Sequence, residues 1–82
     1  MTRLNKLIAR FKSLPKDFTW DELIRLLKSL GFQEIQGDGS RVKFFNQDKD
    51  CLIQLHKPHP GKILKHYALR AIFQQLIHTK LI

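Results

Sequence analysis

From Phe32 to His56 the apolar residues stop recurring at helical spacing and begin to alternate with polar ones. The alternation comes in three short runs. Phe32 to Gln36 is the first predicted strand. Gly37-Asp38-Gly39 is a turn, where glycine supplies a positive φ at little cost. Ser40 to Asn46 is the second strand, with Val42 and Phe44 on one face and Arg41, Lys43 and Phe45 on the other. After the polar turn Gln47-Asp48-Lys49-Asp50 comes the third, Cys51 to His56. There Cys51, Ile53 and Leu55 oppose Leu52, Gln54 and His56. Connections this short force neighbouring strands to run antiparallel. The chain is therefore committed to a three-stranded meander with one apolar face to bury.

The helical segments supply the cover. Thr19-Trp20-Asp21-Glu22 fits a capping box, in which the Thr19 hydroxyl accepts from the Glu22 N–H and the Glu22 carboxylate from the Thr19 N–H. Leu23, Ile24, Leu27 and Leu30 continue as an apolar stripe, and Gly31 stands where a left-handed cap is expected. A last helix from about His66 to Ile77 puts Leu69, Ile72, Phe73 and Leu76 on one face. Arg3 to Ser13 reads as a short basic amphipathic helix ended by Pro15. Such a helix lies on a membrane or packs on its own domain, and its shortness favours packing. The expected class is α+β. An αβββα core, like that of a double-stranded-RNA-binding domain, follows a short N-terminal helix. At 82 residues, 1–82 reads as a single domain, with 1–18 as N-terminal helix and linker.

Lys and Arg outnumber Asp and Glu 15 to 7, a net charge of +8. That excess points to nucleic acid, an anionic surface or an acidic protein as partner. The single cysteine, Cys51, excludes an internal disulfide and points to a reducing cytosol. Set in a strand, it reads as a buried thiol rather than a nucleophile. No apolar run is long enough to span a bilayer, and no signal-peptide pattern opens the chain. The predicted location is cytoplasmic, with no membrane contact.

His56, His59 and His66 lack a cysteine or carboxylate at a familiar zinc spacing, so neither a metal nor another cofactor is expected. Carboxylates are too few, and too often at helix starts and turns, for two-carboxylate or two-metal chemistry. RNA, by contrast, carries its own nucleophile in the 2′-hydroxyl. Its cleavage needs a proton acceptor, a proton donor and cations around the phosphate. Histidine suits the first two tasks, lysine and arginine the third. The candidates are His56 at a strand end and His59 in the turn, with Arg41, Lys43, Lys57, Lys62 and Lys65 nearby in sequence. The bland alternative is a strand-ending histidine within a solvated basic rim.

Four short pieces, in this order, resemble one family. They are Leu26-Leu27-Lys28-Ser29-Leu30-Gly31-Phe32, Gly39-Ser40, His59-Pro60-Gly61-Lys62 with Leu64-Lys65, and Leu69-Arg70-Ala71-Ile72. Over roughly Trp20 to Ile77 the chain resembles the HicA-type toxins of toxin–antitoxin pairs. The resemblance implies a double-stranded-RNA-binding-like fold, metal-independent mRNA cleavage and neutralisation by a HicB-like antitoxin. It also implies a catalytic histidine after Gly-Ser, where this chain has Arg41. A guanidinium stays protonated at neutral pH and cannot serve as a general base. His56, on the neighbouring strand, is then the candidate to replace the missing base, with Ser40, Arg41, Lys43, Lys57, His59, Lys62 and Lys65 expected to bind RNA and phosphate. Two further readings stand beside the interferase: a non-catalytic RNA-binding module of the same fold, and a protein whose basic face docks an acidic partner.

Overall fold

The computed structural model describes residues 3–58 and 61–82. Among them three helices and three strands follow the order α1 (Arg3–Lys12), α2 (Trp20–Ser29), β1 (Gln33–Gln36), β2 (Arg41–Asn46), β3 (Cys51–His56) and α3 (His66–His78). The sheet is an antiparallel meander with β2 in the centre. This is the expected α+β arrangement, an open three-stranded sheet with helices on one side. Strand boundaries differ from expectation by one residue, because Phe32 and Ser40 belong to the turns that precede β1 and β2.

Alternation decides which side is covered. Val42, Phe44, Cys51 and Ile53 point into the core, beneath Leu23, Leu26 and Leu27 of α2 and Leu69, Ile72 and Leu76 of α3. Trp20 meets Phe44 edge-on, with ring centroids 6.1 Å apart. The N-terminal helix packs on its own domain. Its Phe11 is fully buried, 5.5 Å from the Phe18 ring and 5.9 Å from that of Phe73. No helix among the described residues is long and apolar enough to cross a membrane.

Both ends of α2 are built as its sequence requires. At the start, the Glu22 N–H donates to Thr19 Oγ1 at 3.2 Å, and the Thr19 N–H donates to Glu22 Oε1 at 3.1 Å. At the end, the Phe32 N–H reaches the Leu27 carbonyl and the Gly31 N–H that of Lys28, with Gly31 at φ +98°. That pair of bonds is a Schellman cap, which an L side chain at Gly31 would strain. The buried Asn46 side chain then donates to the Leu30 carbonyl at 3.0 Å and accepts from the Lys49 N–H at 3.1 Å. One amide thereby ties the β2–β3 turn to the end of α2.

The same Glu22 carboxylate holds α1. Arg10 Nε donates to Oε2 at 2.7 Å and Nη2 to Oε1 at 3.1 Å, a forked pair, while Nη1 lies 3.2 Å from Asp17 Oδ1. The guanidinium, more than the capping bonds, draws the Glu22 carboxyl down from 4.5 to about 2. A carboxylate held below its unfolded value adds stability that is complete above about pH 4.5 and disappears as the pH falls towards 2. Glu22→Gln is therefore expected to melt at a lower temperature than the wild type at neutral pH, with a shallower decline across that acid window. Parallel midpoint-against-pH curves for the two proteins would contradict this.

Candidate RNA-binding site

The site sits where β2 and β3 carry their polar faces towards the open side of the sheet. Register sets Arg41 opposite His56 and Lys43 opposite Gln54. One turn of the ladder further on, the Lys57 N–H donates to the Ser40 carbonyl at 2.8 Å. Ser40 and Lys57 thus form a hydrogen-bonded pair, which makes Arg41 and His56 a non-hydrogen-bonded one, the closer kind of cross-strand neighbour. The side chains of the strongest candidate cation and the candidate base meet side by side. A cavity of about 480 Å³ lies over them, lined by Arg41, Val42, Lys43, Gln54, Leu55 and His56.

The remaining cations come from the segment after β3. That segment is pinned to the start of α2: the Trp20 N–H donates to the Lys62 carbonyl at 2.7 Å and the Leu64 N–H to the Phe18 carbonyl at 2.9 Å. Leu64 is buried between them. The strap fixes Lys62 and Lys65 on either side of an anchored apolar residue, with both lysines exposed. Ser40, His56, Lys57 and Lys65 line a second cavity of about 320 Å³, together with Pro58, Ile63, Leu64, Tyr67 and Ala68. Lys62 joins Ser40, Lys57, Gly39, Pro58 and Gly61 around a third, of about 380 Å³.

His56 and Ser40 are accordingly the hubs. His56 faces Arg41 and Lys43 in the first cavity, and Ser40, Lys57 and Lys65 in the second. Lys62 reaches the group through Ser40 and Lys57. His59, the remaining candidate, lies outside the described residues. Among the described residues no three His, Cys, Asp or Glu side chains gather where they could hold a metal ion. His66 stands apart from the cations, its Nε2 3.2 Å from the Leu14 carbonyl.

Two features of this surface extend the sequence reading, which sets Leu52 on this face but names neither Ile35 nor Tyr67. Ile35 and Leu52, exposed by 48% and 43%, lie on the open face of the sheet, whose polar end holds the cations. Tyr67 is 72% exposed at the start of α3. A signal for Tyr67 exists: it falls off the stripe formed by Leu69, Ile72 and Leu76, so the helix pattern leaves it nothing to pack against.

The Cys51 thiol is not part of the site. Burial, and after it the Asp50 charge, push it above its usual range, which disfavours the thiolate. A water-soluble thiol reagent is expected to modify Cys51 only as fast as the fold opens. Rapid labelling of the folded protein, as fast as in denaturant, would refute that placement.

Residues 20–77 match the family model described as the HicA toxin of bacterial toxin–antitoxin systems. No curated protein and no solved structure matches the chain.

Proposed function

The chain belongs to the HicA toxin family and is the toxin half of a toxin–antitoxin pair with an antitoxin as protein partner, and from that premise we propose that it binds mRNA and cleaves it as a metal-independent endoribonuclease. The observation that carries the reading is the Arg41–His56 cross-strand pair, set in a ring of cations on an uncovered sheet face. A phosphate over the first cavity meets Arg41, whose fork suits two phosphate oxygens, with Lys43 beside it and Lys57 adding charge from the second cavity, which His56 also lines. His56, as neutral imidazole, takes the proton of the neighbouring 2′-hydroxyl. The 2′-oxygen attacks phosphorus and the P–O5′ bond breaks as the 5′-oxygen takes up a proton from water, while the His56 imidazolium returns its proton to solvent. The products are a 2′,3′-cyclic phosphate and a 5′-hydroxyl. Ser40 shapes the turn and offers its hydroxyl to the same phosphate. Lys62 and Lys65 extend the binding surface along the strand.

Arg41 also favours a second reading. A guanidinium holds phosphate without moving a proton, so the same surface without a working base is an RNA-binding module. Both readings require affinity that falls as salt displaces the phosphate contacts. In both, the antitoxin acts by covering this face.

Cleavage of a single-stranded RNA by the wild type and by His56→Ala, with EDTA present throughout, separates the two. The enzyme reading expects wild-type cleavage to cyclic-phosphate ends and a loss of at least about a hundredfold in His56→Ala, the size of a missing general base. Equal cleavage by both proteins removes His56 from the mechanism. Salt-dependent binding by the wild type with no cleavage establishes the binding module.

A further inference from the structure

His56 has a second neighbourhood. β3 is an edge strand, and α3 runs beside its free edge, so a groove of about 240 Å³ opens between them. Its walls are apolar: Ile53 and Leu55 from β3, Ala68, Ala71 and Ile72 from α3. Polar groups converge on it from both sides. Because Lys57 pairs with Ser40 through its backbone, alternation turns the N–H and C=O of His56 and Gln54 away from β2, towards the groove. The Gln75 amide faces them from α3. Tyr67 and His56 line this groove and also the cavity that holds Ser40, Lys57 and Lys65. The groove is continuous with the phosphate surface, and Tyr67 stands at the join with its ring largely in solvent.

We propose that this groove is a nucleobase subsite: it takes the base of a nucleotide next to the phosphate held at Arg41 and His56, with that base stacked on Tyr67. The inference rests on the RNA-binding reading above and specifies it. Proteins that bind single-stranded RNA splay out unstacked bases, lay them on aromatic rings and hydrogen-bond their edges. The groove supplies each part. Alanine- and leucine-lined walls accept a planar face, a strand edge offers a donor and an acceptor in the main chain, and an amide stands opposite. It is smaller than the roughly 300–1,000 Å³ of a drug-sized pocket, which suits one base. Charge selects the occupant. The cations Lys57 and Lys65 flank the mouth, so the base must arrive on an anionic backbone. A paired base in A-form RNA keeps its face in the stack and cannot enter, so the subsite selects unpaired RNA.

Tyr67 is a positioning residue here, exposed enough that replacing it leaves the fold intact. The probe is a single-stranded octaribonucleotide with 2′-O-methyl riboses, which cannot be cleaved, beside an octamer of the same backbone lacking all bases. Wild type, Tyr67→Ala and Tyr67→Phe are compared, with melting curves to establish equal folding. The wild type is expected to prefer the base-bearing octamer by roughly tenfold or more, the usual value of one stacked base. Tyr67→Ala is expected to lose that preference while keeping its affinity for the abasic backbone, and Tyr67→Phe to retain it. A Tyr67→Ala protein that discriminates as the wild type does overturns the subsite and leaves RNA binding standing. A wild type that binds neither octamer overturns both. Weakened antitoxin binding by Tyr67→Ala, with RNA discrimination unchanged, assigns the groove to the protein partner and overturns the subsite.

Discussion

One carboxylate, that of Glu22, is the point on which three parts of the molecule turn. It caps α2 through Thr19, receives the forked Arg10 guanidinium from α1, and lies at the helix turn whose Trp20 N–H holds the Lys62 carbonyl. Each bond alone is modest; a helix cap is worth about 1 kcal/mol. Their shared origin matters more. A carboxylate accepts at both oxygens, and Glu22 accepts from the Arg10 guanidinium of α1 and from the N–H and hydroxyl of Thr19, the N-cap of its own helix. The start of α2 is thereby fixed in orientation as well as in position. The strap from Lys62 to Leu64, two hydrogen bonds away, inherits that fix.

The second constraint is register. On a pleated sheet, a slip of one residue would turn Arg41, Lys43, Gln54 and His56 into the core and expose Val42, Phe44 and Ile53. Burial of those three residues therefore selects the polar face as strictly as it selects the apolar one. The Asn46 amide locks the same register from the far end, because its two bonds close only when the β2–β3 turn lies beneath the end of α2. Core packing and the candidate site are in this sense the same fact, seen from opposite sides of the sheet.

Much of this was legible in the sequence, for physical reasons that are easy to name. The capping box and Gly31 are local, so Thr19, Glu22 and the glycine state their own geometry. Alternation is also local, and it sets Arg41 and His56 on one face. What the sequence did not show is what forms between distant segments. Arg10 lies 12 residues from Glu22, and nothing in either neighbourhood names the other. Phe18 sits in a linker yet is fully buried, because Phe11 folds back on it. The groove beside β3 was equally hidden. It depends on the distance between α3 and a strand edge, which the pattern of neither element encodes. Strand ends moved by one residue for a related reason: Phe32 has strand chemistry, but its N–H is taken by the Leu27 carbonyl in the helix cap.

The arrangement of charge around His56 carries a further consequence. The cations do not form a stripe along a helix, as they would for a groove-binding element on duplex nucleic acid. They come from a strand pair and from a strap tethered to another part of the core, and they surround a strand end. A surface of that shape contacts a few consecutive phosphates from more than one side. The uncharged ground next to it is formed by the exposed side chains of Tyr67 and Ile63 on one side and Leu52 and Ile35 on the other. On the proposed RNA-binding reading, removing any one lysine from such a ring weakens attraction to all bound phosphates alike. On that reading, removing His56 or Arg41 acts instead at one position on the strand, since they face each other across the ladder and His56 joins the first two cavities. The proposed function therefore assigns selectivity for a point of action on RNA to the cross-strand pair, and general affinity to the strap.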